Sequence, residues 1–88
     1  MEVDFASTFL KIIKKTKEPD LLQKIHETIE NVIIANKTED IKSIKKLVGF
    51  KYHYRIKIND YRIGIEIKEN VVRFLTVLHR KDIYKKFP

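Results

Sequence analysis

The apolar residues of this 88-residue chain change their period once, and that change dictates most of what it can fold into. From Pro19 to about residue 35, Leu22, Ile25, Ile29, Val32 and Ile33 recur at steps of three and four, the repeat of a long amphipathic helix. Pro19 suits its first turn, where no N–H donor is needed. From Tyr52 onward the period is two. Strand-like segments end at Ile58, restart at Tyr61 and restart again over Val71 to Leu78, with Asn59-Asp60 and Glu69-Asn70 as the short turns between them. Three strands joined by tight turns predict an antiparallel meander, and the helices must bury their stripes on one of its faces.

The remaining segments complete an α+β order. Glu2 to Phe5 alternates as a short strand, and Ser7 can N-cap a helix that carries Phe9, Ile12 and Ile13 on one stripe with Lys11, Lys14 and Lys15 outward. Lys37 to Lys46 is polar and reads as an irregular connection. The expected fold is therefore one domain over residues 1–88, with two N-terminal helices packed on a small antiparallel sheet. Its 43 % hydrophobic content is enough for a core without staples, and the absence of cysteine excludes disulfide and thiolate chemistry. The start Met1-Glu2-Val3-Asp4 is acidic where a signal peptide is basic, and no apolar run approaches ~18 residues, so the cytoplasm is the expected compartment.

Charge points to the partner. Residues 1–48 hold 9 lysines against 8 acids, whereas residues 49–88 hold 6 lysines and all 4 arginines against 4 acids, so nearly all of the +7 net charge belongs to the strand region. A local excess of this kind is the electrostatic footprint of a nucleic-acid site. An anionic membrane would call instead for a basic amphipathic helix with aromatic anchors, and no membrane partner is expected. Alternation puts Tyr54, Ile56 and Ile58 on the helix-packed side with Tyr61, Ile63, Ile65 and Ile67. It puts His53, Arg55 and Lys57 on the open side with Arg62, Gly64 and Glu66. Val71 to Leu78 is apolar at both parities, which marks it as central and leaves its faces unassigned.

The order and spacing of Lys46-Leu47-Val48-Gly49, Tyr54-Arg55-Ile56-Lys57-Ile58, Asp60-Tyr61-Arg62-Ile63 and His79-Arg80-Lys81-Asp82-Ile83-Tyr84 resemble those of the RelE/ParE toxins of type II toxin-antitoxin pairs. The resemblance covers nearly the whole chain. It implies helices on a twisted antiparallel sheet and, in the RelE branch, a ribosome-dependent ribonuclease that cuts mRNA in the ribosomal A site and is held inactive by a cognate antitoxin. By position, the family's functional residues fall on Arg55, Lys57, Arg62, Arg80 and Tyr84. Leu78 stands where a glycine usually precedes the His-Arg pair, Ile65 where an aromatic is common, and Arg55 where the best-known RelE enzymes carry a lysine. The ParE branch shares the fold and poisons DNA gyrase, so a gyrase-directed toxin and a non-catalytic RNA- or protein-binding module remain the alternatives.

The chemistry of RNA cleavage sorts the candidates. With the ribose 2′-hydroxyl as nucleophile, the protein must supply a base for its proton, cations for charge gathering on the phosphoryl oxygens, and an acid for the departing 5′-oxygen. Arg55, Arg62 and Arg80 suit the second task and, being permanently protonated, neither of the others. Proton carriers must come from Lys57, His79, Tyr84, Glu66 or His53. Lys57 is a credible base because neighbouring positive charges disfavour its own charged form. Arg62 has a plainer alternative, pairing with Glu66 two steps along the same face. No carboxylate or histidine cluster has metal-ligand spacing, and no cofactor is expected.

Overall fold

The computed structural model describes residues 1–88. Two helices, α1 (Ser7–Lys15) and α2 (Pro19–Ile34), lie on one face of a sheet built from β1 (Glu2–Phe5), β2 (Ile44–Lys46), β3 (His53–Ile58), β4 (Tyr61–Lys68) and β5 (Val71–His79); a one-turn helix, α3 (Ile83–Lys86), follows. The strand order is β1-β5-β4-β3-β2. The β2 to β5 pairings are antiparallel, as expected for a meander, but β1 joins β5 in parallel, so the sheet is mixed rather than purely antiparallel. No helix is long and apolar enough to cross a membrane.

Three local expectations are corrected. Ser7 does not cap α1: Ala6 occupies the N-cap with no side-chain cap bond, and Ser7 is the first helical residue. The Ala6 N–H donates to the Phe74 carbonyl at 2.9 Å, so attachment to β5 fixes where the helix starts. On α2 the innermost line is Leu21, Ile25, Thr28 and Val32, while Leu22 and Ile29 are half-buried and Ile33 is exposed. Thr28 is tolerated inside because its hydroxyl donates to the Lys24 carbonyl at 2.7 Å. Residues 37–46 are not an irregular connection. They hold a 3₁₀ turn (Thr38–Asp40), a buried anchor at Ile41, and β2, which pairs Ile44 with Ile56. A three-residue edge strand with two lysines is too short to leave a period in the sequence, and it suits an edge because charge discourages further strand addition.

The faces of β5 follow from a bulge. Gly64 pairs with Thr76 and Ile65 with Phe74, so Leu75 has no partner. Before the bulge Val72 and Phe74 are buried, and after it Val77 is, which is why this strand is apolar at both parities. The parity reversal aims Val77 at the core and leaves Thr76 and Leu78 on the open face. Phe5, Phe9 and Phe74 stack at centroid distances of 5.4–5.8 Å, joining β1, α1 and β5 in one core with Ile25, Val32, Ile56, Ile63 and Ile65. Glu69 and Asn70, both left-handed at φ 49° and 66°, turn β4 into β5 in the sense that matches strand twist. The Met1 ammonium group donates to the carbonyls of Val32, Ile33 and Ala35 at 3.1, 2.8 and 2.6 Å, placing a positive charge at the C-terminal end of α2.

Candidate active site

The face of the sheet away from α1 and α2 is built in rows of directly opposed residues. One row runs from Lys57 on β3 to Arg62 on β4 and Leu78 on β5; the next from Lys45 on β2 to Arg55, Gly64 and Thr76. Directly opposed side chains have Cβ atoms ~4.5–5.5 Å apart, so Lys57 against Arg62 and Lys45 against Arg55 are two like-charge contacts side by side. None of the four has a carboxylate within ion-pairing distance; the ion pairs of the molecule lie elsewhere. The cations are left for something outside the chain.

Arg62 does not pair with Glu66. Its guanidinium donates to the carbonyls of Asn59 and Tyr61, both at 2.9 Å, which bends it back over the β3–β4 turn and fixes its position. Arg80 reaches the same turn: its N–H donates to the Asp60 carbonyl at 2.8 Å, and its Nε lies 3.9 Å from the Asp60 carboxylate. That exposed pair contributes little stability, but it holds a second guanidinium at the Arg62 end of the sheet. Glu66 instead lies 3.9 Å from both His53 and Lys68. Four residues along β4 put it about 13 Å from Arg62, too far to serve the same phosphate.

The tail after β5 folds across this face. Ile83 is buried, the Arg55 guanidinium lies 4.6 Å from the centre of the Tyr84 ring, and Phe87 rests on Gly64. A Cβ at Gly64 would come within 2.7 Å of the Phe87 ring, so only glycine admits that contact. Phe87 meets His53 edge-on at 5.6 Å, and His53 meets Phe50 at 5.8 Å. Tyr84 is thus presented to the cations while remaining 71 % exposed.

Among the residues singled out from sequence, Arg55, Lys57, Arg62 and Tyr84 come together on this face, and Arg80 joins them at its rim. His79 does not. It pairs with Tyr61, and their rings meet edge-on at 5.4 Å on the helix side of the sheet. There the Tyr61 hydroxyl donates to Glu18 at 3.2 Å, and this carboxylate, by its charge and by accepting that bond, raises the Tyr61 hydroxyl above its ordinary 10.0. Sequence reasoning missed Lys45, hidden in the supposed connection, and Phe87. One signal was available: a lone glycine inside an apolar strand marks a close approach, and Gly64 marks the seat of Phe87. No three His, Cys, Asp or Glu side chains are grouped so as to hold a metal ion.

Opposed cations, with a tyrosine ring against one of them, can neutralise a phosphodiester and offer it a proton donor. Against known proteins, the family profile described as "ParE toxin of type II toxin-antitoxin system, parDE" matches residues 3–84. Toxin RelE3 of Methanocaldococcus jannaschii is 42 % identical over 89 residues, with both chains fully covered. The chain belongs to the RelE/ParE family of toxins. Among solved structures, the toxin is similar to a RelB-RelE antitoxin-toxin complex from Methanococcus jannaschii, with a TM-score of 0.78, 40 % identity and coverage of 97 % of this chain and 99 % of that one. The isolated E. coli RelE toxin, at 20 % identity and a TM-score of 0.67 over 89 % of this chain and 82 % of its own, shares the fold. It is a toxin of a toxin-antitoxin pair, of RelE-like type.

Proposed function

We propose that this toxin is an endoribonuclease that cuts mRNA in the ribosomal A site and that a cognate antitoxin restrains it. The observation that carries the reading is the set of cations Lys45, Arg55, Lys57 and Arg62, none of them in an ion pair, on the sheet face where Arg55 also meets the Tyr84 ring. Like charges directly opposed across a sheet lower stability, and an RNA phosphate between them turns that cost into binding. In the reaction, Lys57 takes the proton of the ribose 2′-hydroxyl, whose oxygen attacks phosphorus. Arg62, Arg55 and Arg80 stabilise the charge that accumulates on the phosphoryl oxygens. The P–O5′ bond breaks, Tyr84 donates a proton to the leaving oxygen, and a 2′,3′-cyclic phosphate remains. His79 has no part in this scheme because it faces the helices.

The antitoxin partner is supported by the RelB-RelE complexes among the relatives, and by the cost of leaving this cationic face bare in a resting cell. The matching profile is that of ParE toxins, which favours gyrase poisoning as the second reading. Induced expression without antitoxin separates the two. The endonuclease reading expects growth arrest with mRNA cuts confined to translated frames; intact transcripts with accumulating double-strand DNA breaks would assign the toxin to the gyrase branch.

A further inference from the structure

Beside the cation rows lies a groove of about 440 Å³, a size suited to a single small ligand, between the β2–β3 loop on one side and α3 on the other. Its walls carry Phe50, Tyr84 and Phe87 together with Lys45, Lys46 and Arg55, and no acidic residue lines it. Phe50 is 45 % exposed and Val48 at the loop tip 94 %, apolar surface that the core does not use. The loop owes its shape to Gly49, whose φ of 85° few other residues adopt, and the two walls are braced through the Phe50, His53 and Phe87 ring contacts. Arg55 covers one side of the Tyr84 ring, and the rest is solvent-facing.

Exposed aromatic rings beside unpaired cations suit one kind of occupant, a single-stranded nucleotide whose base stacks while its phosphate meets the lysines. An acidic protein segment would satisfy Lys45 and Lys46 but would make little use of the ring faces. Resting on the reading of the toxin as an RNA-cutting enzyme, we infer that this groove is a nucleobase slot for a residue adjoining the cut. Phe50 forms its loop wall, Lys45 and Lys46 hold the flanking phosphate, and the slot favours the more strongly stacking purines at that position. Phe50 and the lysines here determine specificity; they do not carry the proton transfers.

Mapping of cut sites on programmed ribosomes tests this with wild type and Phe50→Ala, each checked by circular dichroism for folding. Loss of one stacking platform is expected to reduce the purine preference at one position flanking the cut by a few-fold, the modest scale that stacking strength alone supplies, with a smaller change in rate at the preferred codon. An unchanged cut-site distribution from a folded Phe50→Ala protein overturns the slot. If wild type cuts no RNA, the endonuclease reading fails, and binding decides the slot separately. Titration of the isolated toxin with a tetraribonucleotide should shift the ring proton resonances of Phe50 and Phe87, and the shift should vanish with added salt. Rings that respond to a polyglutamate peptide and not to the tetranucleotide would assign the groove to a protein partner and overturn the inference.

Discussion

At Lys57 and Arg62 two positive charges oppose each other across β3 and β4, an arrangement that a chain selected only for stability would avoid. The two differ in chemistry: Arg62 is a guanidinium pinned by two turn carbonyls, whereas Lys57 carries an amine with no hydrogen-bond partner. Arg62→Ala should therefore lower single-turnover cleavage by roughly 10² or more, the scale of one preorganised oxyanion donor, without unfolding the protein. Lys57→Arg should be as damaging despite its retained charge, because a guanidinium cannot act as base. His79→Ala should leave the rate within a few-fold of wild type. A pH profile abolished in His79→Ala and retained in Lys57→Arg would reverse these assignments. The sequence placed Arg55, Lys57 and Arg62 on one face because β3 and β4 alternate cleanly up to their shared turn. It did not place His79, because one unpaired residue, Leu75, reverses the parity of every side chain beyond it.

Among the elements, α2 and the β3–β5 meander were legible because each repeats its period several times and ends at a residue with a physical reason to stop. Pro19 opens the helix, and Asn59, Glu69 and Asn70 accept the left-handed backbone of tight turns. β2 was not legible, since three residues carry no period and its existence depends on the long-range pairing of Ile44 with Ile56. The contact between the start of α2 and β4 is equally long-range and has a titratable signature. Tyr61 donates to Glu18, and its ionisation lies above that of an unfolded tyrosine. The stabilising bond is fully present below pH ~10 and is lost as pH rises through the folded value, so the stability difference between wild type and Tyr61→Phe should be flat below that pH and shrink above it. Absorbance titration should show one late-ionising tyrosine that disappears in Tyr61→Phe and moves earlier in Glu18→Gln; four tyrosines titrating together would show that the bond does not form in solution.

For the whole molecule, the tail and the sheet face are one functional unit joined at Gly64. Gly64→Val suits a strand but drives a side chain into the Phe87 ring, so the tail must lift, and with it the Tyr84 ring from Arg55. The cost is bounded by the ~1.5–3 kcal/mol of a fully buried phenylalanine and is smaller for this half-buried one. Trypsin should release the tail after Lys85 or Lys86 about tenfold faster in this variant, while the core still folds and melts only a few degrees lower. Equal tail protection in the two proteins would show that Phe87 does not rest on Gly64. The parallel seam between β1 and β5 also bears on the order in which the molecule comes into being. Glu2 leaves the ribosome long before its partner Val71 has been synthesised, and the Phe5, Phe9 and Phe74 stack waits with it. The sheet cannot close on a truncated chain, and Tyr84 is added later still. The face that brings Arg55 and Tyr84 together is therefore complete only when translation of the chain is nearly over.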